Sequence, residues 1–131
     1  MGTDASALVE FLETELGDDL RVVIEYGTGR SDVRYGEAWF DEFVDDLDGR
    51  TAEMMHREAV SRLDMAEVGE EIYETRIDSD IRVHAAGIGV HLYPGDGTGV
   101  FVFLRPDADI RVRSFVDDCL DALGAPRPDE P

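Results

Sequence analysis

Residues 81–104, with the sequence IRVHAAGIGVHLYPGDGTGVFVFL, constrain the fold more than any other stretch of the chain. They form its longest run rich in the β-branched and aromatic residues typical of strands. The segment PGDGTG at 94–99 contains four breakers and predicts a turn. The apolar stretch VFVFL at 100–104 is typical of a strand covered on both faces. We therefore expect residues 81–104 to form the middle of a sheet.

The alternation of apolar side chains slips by one position near Gly87. Positions 81, 83 and 85 are apolar and predict one strand face, whereas positions 88, 90 and 92 alternate in the opposite phase. One long strand with a bulge near Gly87, or a two-residue hairpin turn at Ala86-Gly87, would produce this slip. A single strand reaching Tyr93 would be unusually long, which favours the hairpin. In both structures we expect Gly87 to have a positive φ or to lie in a bulge.

The other segments predict a single α+β domain over residues 1–124. Apolar residues at helical spacing predict helices near 5–16, 37–47, 51–63 and 107–123, and alternating residues predict strands at 20–26 and 32–35. Residues 70–77 also alternate and predict a further strand, which together with 32–35 is a candidate sheet edge. The order is α-β-β-α-α-β-β-β-α, with a mainly antiparallel sheet of about five strands flanked by helices. Residues 125–131 contain three prolines and no apolar anchor, so we expect a disordered tail.

The composition is strongly acidic. The 131 residues include 31 Asp and Glu against 12 basic residues, all of them arginine, and the formal net charge is −19. At 1 M salt the Debye length is about 3 Å, which would screen this self-repulsion. No basic stripe is present to contact phosphates, so we expect no nucleic-acid partner. No segment approaches the ~18 apolar residues of a membrane span, so we expect a cytoplasmic protein without a membrane partner.

Missing residue types exclude several kinds of chemistry. Without lysine the chain has no Schiff-base residue and no Walker lysine for phosphate. No GxSxG motif is present for a serine nucleophile. The single cysteine, Cys119, excludes an intrachain disulfide, and its place on the apolar stripe of the last helix predicts a buried thiol.

Three stretches carry a resemblance to known proteins. HREAVSRL at 56–63, GIGVHLYPGD at 87–96 and SFVDDCLDAL at 114–123 resemble small acidic families of haloarchaea, a resemblance that implies no known activity. The acidic, lysine-free composition is similar to that of cytoplasmic proteins from salt-accumulating archaea. The order of elements is similar to that of roadblock or dynein-light-chain domains, which implies an antiparallel sheet with helices on its faces.

His84 and His91 are the candidate metal-binding or anion-binding residues. With a hairpin they share a face of the sheet as a diagonal pair, about 7–8 Å apart. On one long strand they are seven residues, or over ~20 Å, apart and cannot cooperate. No third ligand lies at metal spacing, since Glu74 and Asp96 are only weak candidates. We therefore expect no metal and no cofactor.

Trp39, Met54 and Met55 are the candidate interaction residues. Trp39 and Phe40 are adjacent, so their side chains project about 100° apart on a helix. Such a pair fits a helix wedged between the sheet and a second helix, or an exposed aromatic on a partner surface. Methionine adapts to irregular surfaces, which suits an interface.

Two functional hypotheses follow. Because no catalytic constellation is present, the first is a non-catalytic protein-interaction or regulatory module of a halophilic archaeon, which binds itself as a homodimer or binds another protein. The alternative is a small-ligand or metal-binding sensor, or an enzyme, with a site near His84, His91 and Tyr93. A cavity beside the two histidines would favour the alternative, whereas a flat apolar patch or paired sheet edges would favour the module.

Overall fold

In a computed structural model of the chain, which describes residues 5–46 and 51–125, five antiparallel strands form one sheet with helices on both faces. The elements in chain order are α1 Ser6–Leu16, β1 Leu20–Gly27, β2 Arg30–Tyr35, α2 Glu37–Asp46, α3 Thr51–Tyr73, β3 Ser79–His84, β4 Gly87–Leu92, β5 Gly99–Leu104 and α4 Val112–Ala122. This order confirms the predicted α+β class. Of the predicted tail, residues 125–131, the structure describes only Ala125, whose backbone N–H donates a hydrogen bond of 3.0 Å to Leu120 O, and residues 126–131 lie outside the described residues.

The sheet is built around β5. The strand order is β2-β1-β5-β4-β3, and all neighbouring strands pair antiparallel. Five of the six β5 residues are buried, which confirms the prediction that this apolar strand is covered on both faces. The sheet edges are β2, as predicted from residues 32–35, and β3.

Helices α1 and α4 cover one face of the sheet and enclose the main hydrophobic core. Helical spacing turns Leu8 and Leu12 of α1 inward, and both are fully buried. The inward side of α4 carries Phe115, Val116, Cys119 and Leu120. They pack against the sheet residues Val23, Ile88, Val90, Leu92, Val100, Val102 and Leu104.

The opposite face carries α2 and α3 and has two smaller apolar clusters instead of one continuous core. Val22, Ile24 and Tyr26 of β1 point to this face by alternation. A register shift in the β1–β5 ladder lies between Leu20 and Val22, and Leu20 belongs to the core on the other face. The two clusters are Tyr26 and Tyr93 with Ala59, Leu63 and Ala66 of α3, and Val22, Ile24 and Phe103 with Trp39 and Phe40 of α2.

The strand predicted at 70–77 is wrong, because α3 continues without a break to Tyr73. It ends at Glu74, whose φ is 54°. Gly69 is tolerated within this helix because the returning chain packs against it: a Cβ there would lie 3.3 Å from Ile77 Cγ1. The next strand, β3, begins only at Ser79.

The hairpin between β3 and β4 confirms the predicted hairpin, although the turn lies one residue earlier, at Ala85-Ala86. His84 pairs with Gly87, and no register shift interrupts this ladder. The predicted positive φ or bulge at Gly87 is wrong, because Gly87 lies in regular strand backbone. The glycine is required sterically instead: a Cβ would lie 2.5 Å from both Leu104 O and Phe103 Cζ.

Within the described ranges, none of the helices is both long and apolar enough to cross a membrane.

Candidate functional site

Two neighbouring cavities lie between the sheet and helices α2 and α3. They have volumes of about 110 Å³ and about 220 Å³. Five residues line both of them: Phe40, Met55, Glu58, His91 and Phe101. We refer to the two cavities together as the aromatic cleft, whose further aromatic lining consists of Tyr26, Trp39, Phe43, His84 and Phe103.

Two glycines in β4 allow aromatic rings of the neighbouring strand to form one wall of the aromatic cleft. Gly87 and Gly89 have no side chains, so the rings of Phe101 and Phe103 in the neighbouring strand β5 cover their backbone. A Cβ on Gly89 would lie 3.0 Å from Phe101 Cε1. The ring centroids of Phe101 and Phe103 are 5.9 Å apart, and Trp39 of α2 lies 5.7 Å from Phe103. The cleft therefore has a continuous aromatic wall.

His91 is the buried polar residue of the cleft. Its side chain is on β4, the residue is 7% exposed, and its Nδ1 lies 2.9 Å from the Tyr26 hydroxyl. Burial lowers the pKa of His91 to about 4, and the positive charge of Arg62 shifts it in the same direction. Burial also raises the pKa of Tyr26 above its ordinary value. At neutral pH both side chains are therefore uncharged.

This neutrality fixes the tautomer of His91. In a neutral imidazole one nitrogen accepts a hydrogen bond and the other donates one. The Tyr26 hydroxyl has one proton and, among the described residues, no other acceptor, so it donates to Nδ1. The proton of His91 is consequently on Nε2, which has no partner in the described part of the chain. His91 thus offers an N–H donor in a residue that lines both cavities.

His84 lines the larger cavity but lies far from His91 along the sheet. It pairs with Gly87, whereas His91 is four residues further along β4, about 13 Å away. The two histidines share a face, as predicted, but the predicted diagonal distance is wrong because the turn is one residue earlier. His84 Nδ1 accepts a hydrogen bond of 3.2 Å from the backbone N–H of Ala86, which leaves Nε2 as its donor when the ring is neutral.

The other residues named for a histidine site do not line the cleft. Tyr93 donates a hydrogen bond of 2.7 Å to Asp80 and packs in the α3 cluster. Asp96 accepts one of 3.1 Å from the backbone of Thr98 in the loop after β4. Glu74 is exposed at the end of α3. Over residues 5–46 and 51–125, no group of three or more His, Cys, Asp or Glu side chains is placed to hold a metal ion.

Polar groups of α3 border the cleft. His56 Nδ1 is buried and has no hydrogen-bond partner within the described chain, and His56 lines the smaller cavity. Glu58 accepts a hydrogen bond of 2.6 Å from Arg82 of β3 and one of 3.3 Å from Arg62. These contacts form an ion-pair network between α3 and the edge strand.

Of the candidate interaction residues, two lie in the cleft. Trp39 is half-buried, stacks on Phe43 with centroids 5.2 Å apart, and has the Arg21 guanidinium 5.3 Å from its ring centroid. Met55 lines both cavities, whereas Met54 is 59% exposed. Cys119 is fully buried and burial raises its pKa to about 12, which confirms the prediction of a core thiol.

Sequence reasoning missed most of the cleft lining, including Phe101, Phe103, Tyr26 and Glu58. One signal for part of it is present in the sequence. Glycines two residues apart in one strand, followed by aromatic residues two apart in the next, indicate rings lying over bare backbone. Tyr26 and Glu58 come from distant segments, and no local pattern connects them with the histidines.

Comparison with known proteins adds a family but no activity. The model of a protein family described as a domain of unknown function (DUF7522) matches residues 6–124. No protein with a curated description matches the chain. The matched region includes all nine helices and strands named above, and the chemistry of the cleft is the basis for inferring a function.

Proposed function

The chain belongs to this family of domains of unknown function, and we propose that it binds a small, flat, uncharged aromatic molecule in the aromatic cleft. The observation that carries this proposal is the His91 Nε2–H donor, which has no partner within the described chain and lies beside two cavities walled by aromatic rings. This is the ligand-binding alternative raised by the sequence, centred on His91 and not on a histidine pair.

The walls favour a planar ligand. Aromatic rings prefer offset-stacked or edge-to-face neighbours, and Trp39, Phe101 and Phe103 offer both ring faces and ring edges. The combined volume of the two cavities is close to that of the smallest small-molecule pockets, about 300 Å³. A ligand the size of one or two fused rings fits this space.

The polar groups favour a ligand with a hydrogen-bond acceptor. The His91 Nε2–H donor has no protein acceptor within the described chain, so a ligand carbonyl oxygen or ring nitrogen in the cleft can accept its hydrogen bond, which contributes about 0.5–1.5 kcal/mol. His56 also lines the smaller cavity, although its Nδ1 is buried away from solvent. The Glu58 carboxylate and the net charge of −19 oppose an anionic ligand. A neutral heteroaromatic carbonyl compound meets these requirements.

Fragment screening by NMR tests the proposal. We expect uncharged heteroaromatic carbonyl fragments to shift the signals of His91 and Phe101, and His91→Phe, which keeps a ring but removes the donor, to weaken binding about tenfold. Tyr93→Phe is the matched control, since it removes a nearby hydroxyl that does not line the cleft, and it should leave the affinity unchanged. Absence of cleft binders, or equal affinity of His91→Phe and the unchanged protein, would overturn the proposal.

A second candidate function is the interaction module formed by self-association. The observation that favours it is the edge strand β3, on which Val83 is 73% exposed. Pairing of two β3 strands around a two-fold axis would join two sheets, and a stable dimer of this kind buries at least ~1,000 Å². Light scattering at multimolar salt should then give the mass of a dimer, and Val83→Glu should return a monomer while Val112→Glu on α4 should not. A monomer at tens of micromolar would exclude this candidate.

A further inference from the structure

The C-terminal half of α3 exposes an apolar stripe that no other described element covers. Met65, Val68, Ile72 and Tyr73 are 62%, 45%, 68% and 71% exposed. Met65, Val68 and Ile72 follow the spacing of three and four residues that places side chains on one side of a helix. We call these four residues the α3 stripe.

The residues of the α3 stripe are not the ones that pack α3 against the sheet of its own domain. Ala59, Leu63 and Ala66 do that from another side of the helix, where they are buried against the sheet. A groove of about 560 Å³ runs beside the stripe, between α3 and β3, and Met65, Tyr73 and Ile77 contribute to its lining. A contiguous exposed apolar surface of this kind, bordered by polar residues, marks interaction sites.

The flank of the α3 stripe that faces away from the groove carries only negative charges, whereas Arg62 and Arg82 line the groove on the other side together with Glu58 and Asp80. From residue 63 to residue 75 the chain contains five acidic residues and no basic one. At 100° per residue, Asp64, Glu67 and Glu71 lie on the flank of the stripe opposite the groove, and all three are exposed. A row of carboxylates along an apolar stripe attracts a partner with basic residues beside its own apolar face.

We propose that the α3 stripe docks a basic amphipathic helix of another protein. Apolar residues of that helix, at positions i, i+3 or i+4 and i+7, would pack on Met65, Val68 and Ile72, and its arginines or lysines would face the carboxylates. A second copy of this chain fits less well, because two-fold pairing would oppose two rows of carboxylates. An anionic lipid surface is disfavoured for the same reason. This proposal is independent of the aromatic cleft.

A synthetic amphipathic helix of leucine and arginine is the probe, with a peptide of the same composition in scrambled order as control. We expect fluorescence anisotropy to show tighter binding of the amphipathic peptide, and Met65→Ser with Ile72→Ser to weaken it about tenfold. Val112→Ser is the matched apolar control, because Val112 is 58% exposed on α4, and it should leave the dissociation constant unchanged.

Charge is tested at one fixed salt concentration, so that folding and screening stay constant. Glu67→Gln with Glu71→Gln should weaken binding several-fold, whereas Glu10→Gln with Glu13→Gln on α1 changes the net charge equally and should have little effect. Equal binding of the scrambled peptide, or affinity unaffected by the Met65 and Ile72 substitutions, would overturn the proposal. So would a homodimer that dissociates on those two substitutions, since the stripe would then belong to a second copy.

Discussion

The Tyr26 hydroxyl lies 2.9 Å from Nδ1 of His91 and so links β1 to β4, two strands that are not neighbours in the sheet. The strand between them is β5, and Tyr26 pairs with its first residue, Gly99. A Cβ on Gly99 would collide with the Tyr26 ring, so the tyrosine reaches His91 only because this residue is glycine. Residues of β1, β5 and β4 therefore together fix the orientation of the His91 imidazole, whose Nε2–H remains available in the cleft.

The first prediction concerns the pH dependence of stability. The pKa of His91 is about 4 in the folded protein and about 6.5 in an unfolded chain, so between these values the unfolded state binds the extra proton. The contribution of neutral His91 to stability is fully present above about pH 6.5 and is lost as the pH falls toward about 4. The loss should be on the order of 3 kcal/mol.

Denaturant unfolding between about pH 4 and pH 8 measures this contribution. Because the many carboxylates also titrate at low pH, the informative quantity is the difference between the protein and its His91→Phe variant. His84→Phe is the control at an exposed histidine. Equal slopes of stability against pH for the unchanged protein and His91→Phe would contradict the prediction, as would an NMR titration of His91 with an ordinary midpoint.

The second prediction compares two tyrosine hydroxyls. Tyr26→Phe leaves His91 Nδ1 without its donor in a buried site, so we expect it to lower the free energy of unfolding by about 1–3 kcal/mol. Tyr93→Phe removes a hydrogen bond to Asp80, which is only partly buried and can bind water instead. Its effect should be smaller, roughly 0.5–1.5 kcal/mol. Denaturant unfolding at neutral pH checks the order, and a larger loss for Tyr93→Phe would refute it.

The order of helices and strands was predictable from the sequence because, in most segments, the apolar residues that define the periodic pattern are also the residues that are buried. The continuous apolar run of β5 and the inward stripe of α4 are examples in which burial and local pattern agree. The second half of α3 is the exception, because Met65, Val68 and Ile72 are apolar yet exposed. These exposed apolar residues obscure the helical periodicity of the buried residues Leu63 and Ala66. The alternation of apolar and polar residues around Ile72 then resembles that of a strand.

The cleft was less predictable than the fold. The two histidines are chemically distinctive in the sequence, but the distance between them depends on the exact position of the hairpin turn, and a shift of the turn by one residue changes that distance. The partner of His91 is Tyr26, 65 residues away in sequence, and only the strand order brings them together. Such long-range pairings leave no periodic trace in a single sequence.

The third prediction concerns Gly87, a position where close packing of the neighbouring strand leaves no room for a side chain. Gly87→Ala places a Cβ 2.5 Å from Leu104 O and Phe103 Cζ, so β4 and β5 must separate or the ring must move. We expect a loss of about 1–3 kcal/mol in the free energy of unfolding. Gly27→Ala is the matched control within a strand, because its nearest contact would be 3.8 Å away, an ordinary distance. Equal stability of the two variants would show that the close approach at Gly87 is unimportant.

The last prediction concerns salt. The 31 carboxylates exceed the 12 arginines, so the folded chain repels itself when unscreened, and the free energy of unfolding should rise with ionic strength. We expect the melting temperature to increase from about 0.1 M to about 3 M KCl, over which the Debye length falls from about 10 Å to below about 3 Å. Glu10→Gln with Glu13→Gln, at exposed positions on α1, should raise the melting temperature at low salt and flatten its dependence on KCl. If screening is the cause, this double variant and the unchanged protein converge at high salt. A melting temperature that stays constant across the series would refute the halophilic interpretation of the composition.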